Sequence, residues 1–307
     1  MRRTILLLLL GLAALEVLTR VALFDVSKDI SWFRAYPARA RELAAFDGLR
    51  IAVVGNSITH EDIDTAILAR ALESPTHPRV RVGIFHADHS FVNAWQYILT
   101  RFFWRPGNDL DLVLIPFWGE NLRDGNGIEV ARLAYFFTTF ADWPEVLSAD
   151  LDTGSARADF IVSSFWATFA VRERMREFVF TRFVPGYRSY TVHENAMLID
   201  HFMRTEPPRV HPGSKLHALV RLLDTARRHG TRLCFVAVPT LQHRWSGSHA
   251  DLVALIEGAG MSYVDLRDMP GIDDGSFKDE VHMTKPAREY FSRRLGAVLA
   301  PLLPAPR

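Results

Sequence analysis

The stretch Ile51-Ala52-Val53-Val54-Gly55-Asn56-Ser57-Ile58-Thr59-His60 decides the fold. Its four leading apolar residues, mostly β-branched, are too few and too uniformly apolar for an amphipathic helix and read as a buried strand. Gly55 allows a tight turn, and Asn56 and Ser57 suit positions just past a strand end. The following run, Glu61 to Leu72, opens on acids and then places apolar residues at three- and four-residue spacing, so a helix is expected over 63–72. Ser57 therefore stands at the carboxyl end of a first buried strand, ahead of a helix. Open α/β sheets bind ligands at that edge. A serine placed there is a candidate nucleophile, provided that a base can be found elsewhere.

Outward from this point the same rhythm repeats. Apolar runs at 80–85, 112–117, 231–238 and 262–266 read as further strands. Helical periodicity falls at 92–103, 211–229, 249–257 and 286–303, the last with Pro286 in its first turn. Alternation of this kind predicts parallel βαβ units. The expected fold is α/β: a flavodoxin-like three-layer sandwich with a five-stranded parallel sheet, plus an N-terminal transmembrane helix and a helical insertion.

The base is suggested near the other end of the chain. In Asp279-Glu280-Val281-His282 an acid precedes a histidine by three residues, in a loop leading to the last helix. That spacing can hold the imidazole in one tautomer. A third piece lies between them: the strand 112–117 runs into Trp118-Gly119-Glu120-Asn121, ending on a glycine and an amide.

Gly55-Asn56-Ser57, Gly119-Glu120-Asn121 and Asp279-Glu280-Val281-His282, in that order and on those elements, resemble the SGNH (GDSL-type) hydrolase superfamily, in its membrane-anchored bacterial form. Asn56 stands where the first block has Asp, and Leu122 where many members carry Asp after the second; the third block matches in full. The resemblance covers residues 49 to 303, apart from the middle of the chain. It implies a catalytic group of Ser57, His282 and Asp279: nucleophile, base and orienting acid. It also implies an oxyanion hole made from the Ser57 N–H, a backbone N–H after the second strand, and the side-chain amide of Asn121. The family has a glycine after that second strand. Here the loop reads His86-Ala87-Asp88-His89-Ser90, without one, which places the donor at Asp88 or His89. A residue with a Cβ can donate there only if its backbone dihedrals allow it.

With 36 basic and 35 acidic residues, the composition carries no electrostatic footprint for nucleic acid. One cysteine, Cys234, inside an apolar run, reads as a buried strand thiol and excludes an internal disulfide. No cofactor and no metal are assigned. His86, Asp88 and His89, with Asp62, Asp64 or Glu120 nearby, are residue types that hold divalent metals, yet they read first as an ordinary polar loop. His60 reads as a loop or helix-start residue.

At the N-terminus, Arg2-Arg3 precede a run that is apolar from Ile5 to Leu15 and resumes at Val21 to Phe24, interrupted by Glu16, Thr19 and Arg20. Glu16 and Arg20 stand one turn apart and can pair. Residues 1–24 are expected to be an uncleaved anchor with its N-terminus inside, 25–48 a stalk, and 49–307 the hydrolase-like domain. Removal of Met1 to about Leu23 is then expected to leave the fold intact. Residues 128–210 break the strand–helix rhythm with aromatic-rich helices and are read as an insertion, either a lid or partner surface or an extra helical layer.

The expected function is that of a serine esterase or O-acyltransferase working through an acyl-serine. By resemblance its substrate is an acylated glycan of the cell envelope or a secreted polysaccharide, or a small ester. The expected location is the inner membrane, single-pass, with the domain in the periplasm or exterior. The alternative is a non-catalytic scaffold of the same fold that assists a membrane acyltransferase, a reading favoured by the missing glycine.

Overall fold

The computed structural model of the chain describes residues 2–124, 129–191, 215–241 and 249–305. In chain order the principal elements are α1 (Arg2–Val21), α2 (Lys28–Ala44), β1 (Leu49–Gly55), α3 (Ser57–Glu61), α4 (Thr65–Leu72), β2 (Val80–His86), α5 (Val92–Leu99) and β3 (Leu112–Phe117). They continue with α6 (Gly154–Phe165), α7 (Ala167–Ala170), α8 (Arg172–Phe183), α9 (His217–Arg228), β4 (Leu233–Ala237), α10 (Ala250–Gly258), β5 (Ser262–Asp265) and α11 (Lys285–Leu299). The chain divides into two compact units: residues 36–128 with 210–307, and residues 1–35 with 129–209.

The first unit is α/β with a five-stranded, all-parallel sheet in the order β2-β1-β3-β4-β5. Its central strands are apolar on both sides because both faces are covered. Ile51 and Val53 of β1 share one buried cluster with Leu112 and Leu114 of β3, Leu68 and Leu72 of α4, and Phe291, Leu295 and Leu299 of α11. On the other face α5 is buried along its whole length, and α9 packs beside it through Leu219, Leu222 and Leu223. From β1 the chain steps to β2 on one side and later to β3 on the other. The carboxyl ends of β1 and β3 thus form the switch point at which such sheets open a crevice.

The helix expected over 63–72 is α4, from Thr65, and a further short helix, α3, precedes it. The chain turns at Asp62, and Asp64 caps α4 by accepting from the Ala66 and Ile67 N–H groups at 3.1 and 3.0 Å. The helix expected from residue 92 is α-helical to Leu99 and then widens into a π-turn over Thr100–Trp104. The beginning of the helix expected from residue 211 lies outside the described residues.

The expected stalk is not one. Within this unit the second half of α2 buries Tyr36, Ala40 and Leu43. The Tyr36 ring meets Phe85 and Phe102 edge-on at 5.1 and 5.5 Å, and its hydroxyl donates to the His86 carbonyl. Leu43 lies 3.0 Å from where a Cβ on Gly83 would be.

In the second unit, α1 is long and apolar enough to cross a membrane: 20 residues, or roughly 30 Å of helix. Leu6 to Leu10 are exposed, whereas its last turns are committed. Glu16 accepts from the Ala167 and Thr168 N–H groups, both at 2.9 Å, and so caps α7. Thr19 is buried against the Thr168 hydroxyl at 2.9 Å, and Arg20 pairs with Glu16. Phe24 packs on Tyr135 and Phe136. The expected anchor and the expected insertion are therefore parts of one helical unit, which also holds a cavity of about 500 Å³ between Phe33, Arg132, Phe136 and Arg174. This corrects the expectation for truncation. Deleting residues 2–10 should leave the unit intact, whereas deletion through Leu23 removes the α7 cap and should cost it roughly 1–2 kcal/mol. Limited proteolysis of α6 to α8 checks this; equal resistance of the two truncations would contradict it.

Candidate active site

The end of β1 is shaped by close approach. A Cβ at Gly55 would lie 2.2 Å from Thr59 Oγ1 and 3.3 Å from the Pro116 carbonyl, so only glycine lets α3 fold back on the strand end. Asn56 caps that helix, its Oδ1 accepting from the Ile58 N–H at 3.3 Å. Ser57 is the first helical residue, so its N–H has no partner within the helix.

The loop carrying His282 is closed on itself. Phe277 and Met283 form an antiparallel bridge, and the Lys278 N–H donates to the His282 carbonyl at 2.9 Å. Two contacts tie this loop to the end of α3: Lys278 pairs with the Glu61 carboxylate, and the Met283 N–H donates to Asp62 Oδ1 at 2.8 Å. His282 Nε2 consequently lies 2.8 Å from Ser57 Oγ, although 225 residues separate them. Its Nδ1 lies 3.0 and 2.9 Å from the two carboxylate oxygens of Asp279. Partial burial would raise the Asp279 carboxyl, but hydrogen bonds from the Val281 N–H, the His282 ring and the His282 N–H outweigh it and hold the group below its ordinary value. The ring thus faces an ionised acid, which fixes Nδ1 as the protonated nitrogen and leaves Nε2 as the acceptor toward Ser57.

Asp62 was legible only as one of several early acids. It is fully buried, and Oδ2 has no hydrogen-bond partner. Burial pushes its carboxyl up from 3.8 to about 7. Between those values the folded chain holds a proton that the unfolded chain has released, so this group's contribution to stability falls as pH rises from about 4 to 7. Asp62→Asn mimics the neutral acid, and any cost of its unpaired amide is the same at every pH. Relative to the parent it should therefore gain stability between pH 4.5 and pH 8, by up to roughly 3 kcal/mol. Denaturant unfolding at the two pH values checks this; a difference independent of pH would contradict it.

The residues expected to donate to an oxyanion also gather here. Asn121 is buried, and its Oδ1 accepts from Asn56 Nδ2 at 3.2 Å and from the Trp118 N–H at 3.1 Å. The turn before it needs a positive φ, which Gly119 supplies at +49°. With Oδ1 committed, Nδ2 is the group that Asn121 can offer, and no hydrogen bond among the described residues takes it. Asn56 Nδ2 also reaches the Ser90 carbonyl at 3.5 Å, which connects the third loop. There Ala87 to Ser90 form a turn closed by the Ser90 N–H on the Ala87 carbonyl at 3.1 Å. His89 sits at its third position with φ +54°, where such turns ordinarily use glycine. Among the described residues it is the one non-glycine with positive φ. The glycine missing from the sequence is thus replaced by a histidine in the conformation a glycine would take, at a cost of order 1 kcal/mol or more.

Of the residue types considered for a metal, Asp62 and Asp64 are committed as above and Glu120 pairs with Arg123 at 2.9 Å. His89 points to solvent. Asp88 turns toward His86 and His60, which lie on different elements. Cys234 is buried in β4 and its thiol is pushed up to about 12, as an inert strand residue.

No family model matches the chain, and no curated protein matches its sequence.

Proposed function

We propose that the chain is an SGNH-type serine esterase or O-acyltransferase, acting on acyl esters through an acyl-Ser57 intermediate. The observation that carries this reading is the relay from Asp279 through His282 to Ser57, with 2.8 Å between Nε2 and Oγ, at the switch point of the sheet. In the first step Ser57 Oγ attacks the acyl carbonyl carbon while His282 Nε2 takes the hydroxyl proton. The oxyanion receives hydrogen bonds from the Ser57 and His89 N–H groups and from Asn121 Nδ2. The intermediate collapses as His282 returns the proton to the leaving alcohol, which leaves acyl-Ser57. Water, or the hydroxyl of an acceptor sugar, then attacks with His282 again as base.

The helix α1, with Arg2 and Arg3 in its first turn, supports an anchor in the inner membrane with the chain that follows on its outer side. That placement, together with the resemblance, supports acylated glycans of the envelope or of secreted polysaccharide as substrates, and a membrane acyltransferase as partner. The scaffold alternative drew on the missing glycine; the positive φ of His89, the conformation a glycine would take there, supports a backbone donor at that position instead. The test is acetate release from an O-acetylated polysaccharide and from a small acetyl ester by full-length protein in detergent. Release by the parent and none by Ser57→Ala supports the reading; equal release contradicts it.

A further inference from the structure

We infer that His60, His86 and Asp88 form a binding site for one divalent transition-metal ion of the zinc type. Each residue can present one ligand atom such that all three atoms lie within 4.8 Å of one another. His60 Nδ1 and His86 Nε2 both stand 3.7 Å from the same oxygen, Asp88 Oδ1. A triangle with edges between these lengths has its centre about 2.1–2.8 Å from the corners, against roughly 2.0–2.2 Å for zinc on imidazole nitrogen or carboxylate oxygen. A shift of a few tenths of an ångström closes it.

The second observation concerns His60. Its Nε2 lies 3.0 Å from Glu61 Oε1, and the opposite ring nitrogen, Nδ1, is the one on the side of Asp88. Nδ1 is buried and has no hydrogen-bond partner. A lone pair and a carboxylate oxygen that face each other repel unless a cation lies between them. A proton there would draw the two atoms to about 2.7–2.9 Å, well inside the observed separation. A carboxylate behind a ligating histidine is also the usual outer support of a metal-bound imidazole. Finally, the His60 and His86 rings stack with centroids 4.1 Å apart. That stacking holds the two imidazoles beside each other at the site. Two nitrogens and one carboxylate oxygen suit zinc, cobalt or iron better than magnesium or calcium.

An ion there would join α3, which begins at Ser57, to the end of β2 and the turn that carries the His89 N–H. Occupancy would thus set the position of that donor. This consequence rests on the serine-hydrolase reading, whereas the site itself does not.

The test uses full-length, untagged protein in detergent, stripped with a chelator and titrated with Zn²⁺, Co²⁺ and Mg²⁺. One equivalent of Zn²⁺ or Co²⁺ is expected, with Co²⁺ giving visible ligand-field absorption and Mg²⁺ at least tenfold weaker. His60→Gln and Asp88→Asn should each weaken Zn²⁺ binding at least tenfold, with circular dichroism of the stripped variants unchanged. X-ray absorption at the zinc edge of the parent protein should show two imidazole ligands, a readout that does not depend on any variant folding. No stoichiometric binding by the parent, a zinc environment without two imidazoles, or equal affinity in folded variants would overturn the site. Ester turnover enters none of these readouts, so loss of the metal site and loss of the esterase reading are separable.

Discussion

Ser57→Ala should lower turnover of a small acetyl ester by roughly 10⁴–10⁶, and adding His282→Ala should lower it scarcely further. The reason is the 2.8 Å contact between Ser57 Oγ and His282 Nε2. A serine hydroxyl is a weak nucleophile until a base removes its proton, and a histidine without its serine has nothing to activate. The two side chains are one functional group, so removing either disables both. The remaining rate in each variant would come from substrate binding and from the oxyanion donors. Independent, multiplying losses in the double variant would show that the two residues do not act together.

The second large effect is expected at Asn121, and the structure changes which substitution reads it. Asn121→Ala would remove a donor to the oxyanion, but it would also strip the acceptor from Asn56 Nδ2 and from the Trp118 N–H. Asn56 Nδ2 would keep only its 3.5 Å contact with the Ser90 carbonyl and the partly buried Trp118 N–H would lose its acceptor, at a cost of roughly 1–3 kcal/mol of stability. Asn121→Asp keeps the acceptor and removes the donor. It should therefore leave Asn56 Nδ2 and the Trp118 N–H paired yet turn over ester at least 10²–10³ more slowly, with stability compared at low pH, where the buried carboxyl costs least. Unchanged turnover in Asn121→Asp would place this amide outside the oxyanion site.

The sheet and the three candidate positions Ser57, Asp279 and His282 were legible because each rests on local signals. The apolar run from Ile51 to Val54, the strand 112–117 and the regular spacing of helices admit few arrangements other than a parallel sheet, and in such a sheet every strand end of interest faces the same edge. What was not legible depends on contacts distant in sequence. Asp62 reads as a helix-start acid, and only the Met283 N–H, 221 residues on, makes it the tie between the nucleophile helix and the histidine loop. His89 reads as an ordinary loop residue because positive φ leaves no mark on a non-glycine sequence. His60 and His86 belong to different elements, and their stacking follows from how α3 folds back over Gly55. The supposed stalk misled for another reason: Arg34, Arg39 and Arg41 give it a polar composition, while Tyr36, Ala40 and Leu43 recur at helical spacing on one buried face. At α1 the spanning length was legible, but Glu16 and Thr19, which look like interruptions of a membrane span, are its points of attachment to α7.

The central claim is that Ser57 is an activated nucleophile, and one measurement addresses it directly. Full-length protein in detergent is treated with a serine-directed fluorophosphonate, digested, and the modified residue located by mass spectrometry. Covalent attachment at Ser57, abolished in His282→Ala and in Ser57→Ala, is the predicted result. An unlabelled Ser57 in folded parent protein, or labelling that persists undiminished without His282, would contradict it.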